Sequence, residues 1–290
     1  MTVVRALHQI RAMIGHSRPQ IMLCEDSALY VVKFQCSSYS SRQLASELIA
    51  SEIARLAGLP VPETALVEVS AALIENTPEL SRRDGPRFFP GLQFGSRFVV
   101  RTGDSAPTDY LPQPWLVNVT NRDAFSGMFI LDKWCGNRAS RKAVFRRDRP
   151  FSNHLVHFIG FDGCFGQGTW EMNSSPEDGF YNNGIVYQDI LDWESFEPFI
   201  SRLLSMTPDA IWQIAQGVPG EWYDGNRTEL EALVEGLLAR RSRVHQMVAA
   251  SIASFPGCFP SWRISPHVFL AEAPAGASVR IWQRLPTTPR

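Results

Sequence analysis

Three charged positions in this chain could together build a phosphate site, one to hold the phosphate, one to orient that group and one to bind magnesium. Lys33 lies in the apolar run Tyr30-Val31-Val32-Lys33-Phe34, and an ammonium in such a strand is costly to bury unless a counter-charge meets it. Glu47, in the next helical segment, falls about where a helix packed on that strand would bring a carboxylate to it. Phosphoryl-transfer enzymes use such a pair: the strand lysine holds nucleotide phosphates and the helix glutamate orients it and keeps it charged. The third position is Asp162, followed by Gly163 just past the apolar residues 155–159, at a sharp turn that could offer carboxylate oxygens to magnesium. Upstream, Gly15-His16-Ser17-Arg18-Pro19 is a small loop able to aim backbone N–H groups at a phosphate. Each feature also has a plainer reading: Lys33 with its ammonium in water, Glu47 on the surface, Asp162-Gly163 and the small loop as ordinary tight turns.

The elements that must position these residues follow from the apolar pattern. Residues 3–13 read as a short helix or strand, and residues 20–24 and 29–34 as a hairpin across Glu25-Asp26-Ser27. Ser40 with Gln43 suggests a capping box, Leu44, Leu48, Ile49, Ile53 and Leu56 recur at helical spacing, and Gly58 with Pro60 ends that helix. Residues 61–69 end as a strand, 71–87 read as a loop and 92–100 as another strand. The result is one helix on an antiparallel sheet, an α+β lobe ending near residue 105, with 102–114 as the connection.

Beyond it a helix capped by Thr120 or Asn121 turns Ala124, Phe125, Met128, Phe129 and Leu131 to the core and delivers Asp132 to Asn137 at its end. Residues 143–145 and 155–159 pair as a hairpin, while 193–206, 208–216 and 227–252 carry helical spacing, including Leu230, Leu233, Val234, Leu237 and Leu238. Arg240, Arg241 and Arg243 read as a solvated face. The predicted organisation is therefore a lobe over 1–105, a larger and mainly helical lobe over 106–265, and an irregular tail over 266–290.

Composition narrows the function classes. The chain has 290 residues, 44% hydrophobic and 20% charged, with a net charge of −1, so nothing global points to nucleic acid or an anionic membrane. The basic segment from Arg138 to Arg149 is the one local exception, either a solvated loop, a site for an anionic substrate, or a nucleic-acid-binding surface. It lacks the aromatic interleaving of a single-strand platform. Residues 1–12 place Arg5 and Arg11 among apolar residues, which argues against a secretory signal, and no stretch is apolar enough to span a bilayer; a cytoplasmic location is expected. The five cysteines are far apart and form no Cys-x-x-Cys pair, so buried thiols are expected. His154 and His157 fall on opposite faces of a strand and do not make a metal pair.

Several local patterns, in order and spacing over roughly residues 3 to 263, resemble the HipA-like kinase domain family of bacteria, in particular a branch of small single-chain members. They are Gly15-x-Ser17-Arg18-Pro19, Tyr30-Val31-Val32-Lys33-Phe34, Glu47 in its helix, Gly58-Leu59-Pro60-Val61-Pro62, Phe94-Gly95-Ser96-Arg97, Thr120-Asn121-Arg122-Asp123, Asp132-Lys133-Trp134, Cys164-Phe165, Trp193-Glu194-Ser195-Phe196-Glu197-Pro198 and Phe259-Pro260-x-Trp262. The resemblance implies a two-lobed, protein-kinase-like α+β fold that binds ATP and Mg2+ and transfers a phosphoryl group to a serine or threonine of a protein, in relatives sometimes as a toxin beside an antitoxin. Carried onto this chain, the resemblance implies that Lys33 holds phosphates, Glu47 orients it, and Gly15, Ser17 and Arg18 cover the nucleotide.

Two departures stand out. Where many relatives read Gly-Asn-Thr-Asp, this chain reads Gly136-Asn137-Arg138-Ala139, so the expected base falls on Ala139; where relatives read Ile-Asp two residues before a glycine, Gly160 stands at the Asp and Asp162 at the Gly. Two readings follow: a phosphotransferase in which Asp162 takes the metal role and Asp132, with Asn137, takes the catalytic one, or a pseudokinase that has lost turnover.

Overall fold

In the amino-terminal lobe, strands with alternating apolar residues close on themselves. β1 (Val3–Ala12), β2 (Gln20–Cys24), β3 (Leu29–Lys33), β4 (Thr64–Val69) and β5 (Gly91–Arg97) form a barrel in the order β1-β2-β3-β5-β4, antiparallel except where β1 meets β4. Alternation turns Val4, Met22, Val32, Val67 and Phe94 inward, all buried. The computed structural model describes residues 1–263 apart from 16, 39, 83, 100–106, 148, 150–151 and 174. The expected lobe boundary near 105 and the tail over 266–290 lie outside the described residues.

Helix α1 (Ser41–Leu56) follows the lysine strand and buries Leu44, Leu48, Ile49 and Ile53, while Leu56 stays exposed. Its start differs from expectation: the Ser40 side chain makes no cap, and the Gln43 N–H donates instead to the Ser40 backbone oxygen at 2.9 Å. Gly58, at φ 77°, ends the helix in the left-handed region that a side chain would strain. The segment expected as loop over 71–87 contains a short helix, α2 (Ala71–Glu75), because the Ser70 hydroxyl caps it by accepting from the Leu73 N–H at 3.1 Å.

The second lobe is built round α4 (Ala124–Trp134), preceded by the single turn α3 (Gln113–Leu116); all eleven residues of α4 are buried. Asn121 does not cap α4 with its side chain. It clasps the backbone of Val156 instead, donating at 3.1 Å and accepting at 2.9 Å. This ties α4 to a hairpin of β6 (Lys142–Arg147) and β7 (His154–Ile159), followed by the distorted turn α5 (Cys164–Gln167).

The helical run expected over 193–206 is broken at Pro198 into a 3-10 turn and α6 (Phe199–Ser205); α7 (Pro208–Gln216) is as expected. The run over 227–252 is two helices, α8 (Arg227–Arg240) and α9 (Val244–Ser254). Of the arginines at that break, Arg243 is exposed as expected, but Arg240 and Arg241 are half-buried and bonded to the fold. Arg240 donates to the carbonyls of Trp134 at 2.9 Å and Lys133 at 2.8 Å, meeting orphan acceptors at the α4 carboxyl end, and Arg241 reaches the Leu204 carbonyl at 3.2 Å.

The lobes meet through Trp222, whose indole N–H donates to Leu92 at 2.9 Å, through Glu221, which accepts from Gln35 at 3.0 Å, and through the Phe158 N–H, which donates to Pro60 at 2.8 Å. Cys24, Cys36, Cys135 and Cys164 are buried free thiols. Among the described residues no helix is long and apolar enough to cross a membrane.

Candidate functional site

Between the lobes runs a cleft of about 850 Å³, within the range of small-molecule sites. Strand alternation decides which residues of β3 reach it: Tyr30 and Val32 are buried in the barrel, while Val31 and Lys33 line the cleft. From α1, Glu47 and Ser51 line it one helical turn apart. The Lys33 ammonium makes an ion pair with Glu47 Oε1 and lies 3.6 Å from Asp162 Oδ1. Glu47 Oε2 accepts the Phe161 N–H at 2.7 Å, so one carboxylate holds the small-lobe lysine and the large-lobe turn together. Burial pushes the Lys33 ammonium down to about 8; Asp162 draws it up, and the cations of Lys142 and Arg141 push it further down.

The small loop is closed by the Met13 N–H on Pro19 at 2.7 Å and the Arg18 N–H on Gly15 at 3.0 Å. Gly15 and Ser17 line the cleft, but Arg18 does not; it lines a separate cavity of about 360 Å³ with Arg82 and Gly85, so it covers nothing in the main cleft. His16 lies outside the described residues.

Asp132 and Asn137 are brought together, but away from the cleft. The Asp132 side chain is 0% exposed and takes both ends of the Arg141 guanidinium, Nε at 2.9 Å to Oδ2 and Nη2 on Oδ1. Asn137 Nδ2 donates to the same Oδ1 at 2.9 Å, and its Oδ1 accepts the Ala139 N–H at 3.0 Å. Arg141 continues to the carbonyls of Ile159 at 2.9 Å and Gly160 at 3.1 Å, with its guanidinium 4.3 Å from the Phe161 ring centre. The expectation that Asp132 and Asn137 act on substrate therefore meets a buried network that shapes the turn at 159–162. Loss of surface access is the physical reason: a carboxylate saturated by a guanidinium and an amide is not placed to take a proton from a bound hydroxyl.

A model of HipA-like kinases matches residues 4–142. That match spans just under half of the chain and marks a likeness to HipA-like kinases over these residues. The proinflammatory kinase CtkA of Helicobacter pylori resembles it in structure with a TM-score of 0.54 at 14% identity, covering 86% of this chain and 98% of CtkA. A Golgi casein kinase with Mn/ADP bound gives a TM-score of 0.42 at 9% identity over 87% of this chain and 73% of its own, and a second structure of that kinase gives 0.45 at 9% over 89% and 75%. No curated protein matches the chain. The α+β architecture is thus kinase-like.

Glu47, Asp132 and Asp162 are each engaged within the protein. Glu47 is taken by Lys33 and the Phe161 N–H, Asp132 by Arg141 and Asn137, and Asp162 lies within 4 Å of the Lys33 ammonium. Among the described residues no group of three His, Cys, Asp or Glu could hold a metal. At Gly160, where the resemblance expects a carboxylate, φ is 73° and no side chain exists. These side chains make no magnesium cage by themselves, and the one or two carboxylates that a nucleotide-bound magnesium would share with the phosphates are here engaged by or beside a cation.

Two residues of the site escape a sequence reading. Arg141 looks like one more member of a basic run, yet it shares strand parity with the buried Ala143 and Phe145, and parity was the available signal. Its neighbour Lys142 has the opposite parity and lines the cleft floor. The rest of the basic segment is dispersed: Arg138 donates to Asn173 at 3.0 Å, and Arg147 bonds His154 at 3.2 Å and lies 5.3 Å from the Trp115 ring centre. The segment is not one continuous cationic face.

Proposed function

We propose that this kinase-fold chain binds ATP in the interlobe cleft and that its phosphoryl transfer is slow or lost. Lys33 meets the phosphates, Glu47 fixes the lysine, and the backbone of the loop carrying Gly15 and Ser17 lies over them. The observation that carries this reading is the buried Lys33–Glu47 ion pair opening on a cleft of about 850 Å³. Burial holds this ammonium down despite its carboxylate neighbours, so a bound phosphate, as a further anion, favours its charged form.

Reduced transfer is supported by the loop after α4. Ala139 has no carboxylate, and both oxygens of Asp132 are occupied in a fully buried network. A missing general base lowers rate by about 100- to 10,000-fold. A second reading, a serine/threonine phosphotransferase, is favoured by Asp162, whose side chain is 13% exposed beside Lys33 and could serve as an acid–base group.

The test is thermal unfolding with and without ATP beside transfer of labelled γ-phosphate, on wild type, Lys33→Ala and Asp162→Ala. Expected is an ATP-dependent rise in Tm in wild type that Lys33→Ala abolishes, with no incorporation. Incorporation lost in both variants supports the phosphotransferase, and an absent Tm shift in wild type overturns nucleotide binding.

A further inference from the structure

Resting on the nucleotide reading above, we infer that the cleft takes its nucleotide free of metal, and that the Lys142 ammonium neutralises the phosphate charge that a divalent cation would otherwise meet. The ligand class is a nucleoside di- or triphosphate bound through side-chain ammonium groups.

The charges around Gly160 carry the argument. Arg141 is consumed by Asp132 and by the carbonyls of Ile159 and Gly160, and Lys33 by Glu47 with Asp162 beside it. Lys142 has no ion pair among the described residues, is exposed, and lines the cleft. Strand register puts it there: Lys142 pairs with Ile159 across the β6–β7 hairpin, so its stem lies over the next residue, Gly160. A Cβ added to Gly160 would come within 3.1 Å of Lys142 Cδ, 3.5 Å of its Cβ and 3.7 Å of its Cγ. The floor of the cleft is therefore covered by a lysine stem in a place that a longer residue at 160 would contest. The ammonium also acts on Lys33, which feels the Lys142 charge as a repulsion.

Among the described residues that line the cleft, Arg11, Lys33, Arg97, Arg141 and Lys142 are cationic, and Glu47 and Asp109 are acidic. A lining with more cations than carboxylates has no net pull on a divalent cation, whereas the negative charges of a polyphosphate find Lys142 ready to form charge-assisted hydrogen bonds.

Calorimetric titration of ATP into the full chain tests this, once in magnesium and once in EDTA, for wild type, Lys142→Ala and Lys142→Arg. Lys142 is exposed, so neither substitution threatens folding. Expected is binding in EDTA at least as tight as in magnesium, weakened about tenfold by Lys142→Ala for the loss of one charged contact and retained by Lys142→Arg. Binding that requires magnesium overturns the inference and leaves nucleotide binding standing. Metal-free binding indifferent to Lys142→Ala overturns it as well. No binding of ATP in either buffer overturns the nucleotide reading itself and the inference with it.

Discussion

Replacing Glu47 by glutamine keeps an acceptor for the Phe161 N–H and removes only the charge that faces Lys33, so it isolates the ion pair. In the folded chain Lys33 is 9% exposed and Glu47 1%, and the next carboxylate is Asp162 at 3.6 Å. Stranding one member of a buried pair costs about 3–5 kcal/mol. An independent ceiling comes from the proton itself: a lysine that sheds its charge at pH 7 loses about 5 kcal/mol relative to its ordinary pKa near 10.4, so the chain never pays more than that for the charge. Glu47→Gln is therefore expected to lower unfolding free energy by about 3–5 kcal/mol. Glu47→Ala should fall further by about 1–3 kcal/mol, because the Phe161 N–H then loses its partner.

The double variant Lys33→Met, Glu47→Gln removes both charges and should return to within about 1–2 kcal/mol of wild type, since uncharged replacements of a buried pair are near neutral. Urea unfolding followed by tryptophan fluorescence measures all four. A Glu47→Gln effect below about 1 kcal/mol, or a double variant no more stable than Glu47→Gln alone, would falsify the contact on which the site is built.

Three further outcomes follow from other parts of the fold. Burial pushes the Lys133 ammonium down to about 8 despite Asp132, Asp178 and Glu177, and its Nζ donates to the Pro176 carbonyl at 2.8 Å. Its folded pKa lies below its unfolded one, so the penalty is complete below pH 8 and is relieved as pH rises toward 10.5; wild type should gain about 3 kcal/mol on Lys133→Met across that window, measured as the difference of their urea midpoints. A flat difference rejects the buried charge. Arg240→Ala uncaps the carbonyls of Lys133 and Trp134 and is expected to destabilise by about 2–4 kcal/mol in the same assay, where a surface arginine would give almost nothing. Gly163→Ala would place a methyl 2.3 Å from Asn137 Oδ1 and 2.6 Å from Ala139 Cβ, so a loss of about 1–3 kcal/mol in thermal unfolding is expected, and an unchanged Tm would show that the two loops are not in contact.

The pair at the centre of the site was legible before any coordinates. Lys33 sits in a strand whose neighbours must be buried, Glu47 in a helix whose apolar spacing fixes its face, and a buried ammonium needs a carboxylate; these local statements made the contact one of two readings, and the packing of α1 beside β3 decided for it. Asp162 was legible in the same way, as an acid at a turn past an apolar strand, and the turn does bring it beside Lys33. Capping was less legible. Ser40 and Asn121 have the right chemistry at the right offset, but a backbone oxygen and the β7 strand, respectively, took the bonds that their side chains were expected to make.

Which cation neutralises which carboxylate was decided only by the tertiary structure. Arg138, Arg141, Lys142 and Arg147 are near neighbours in one basic run, yet folding buries Arg141 against Asp132, lays Lys142 over Gly160 and stacks Arg147 near Trp115. Periodicity in the chain reports the facing of each residue within its own strand or helix. The partner across the gap depends on how two such elements are packed by the core between them, and Coulombic energy at a few ångströms responds to that packing far more steeply than to any spacing along the chain.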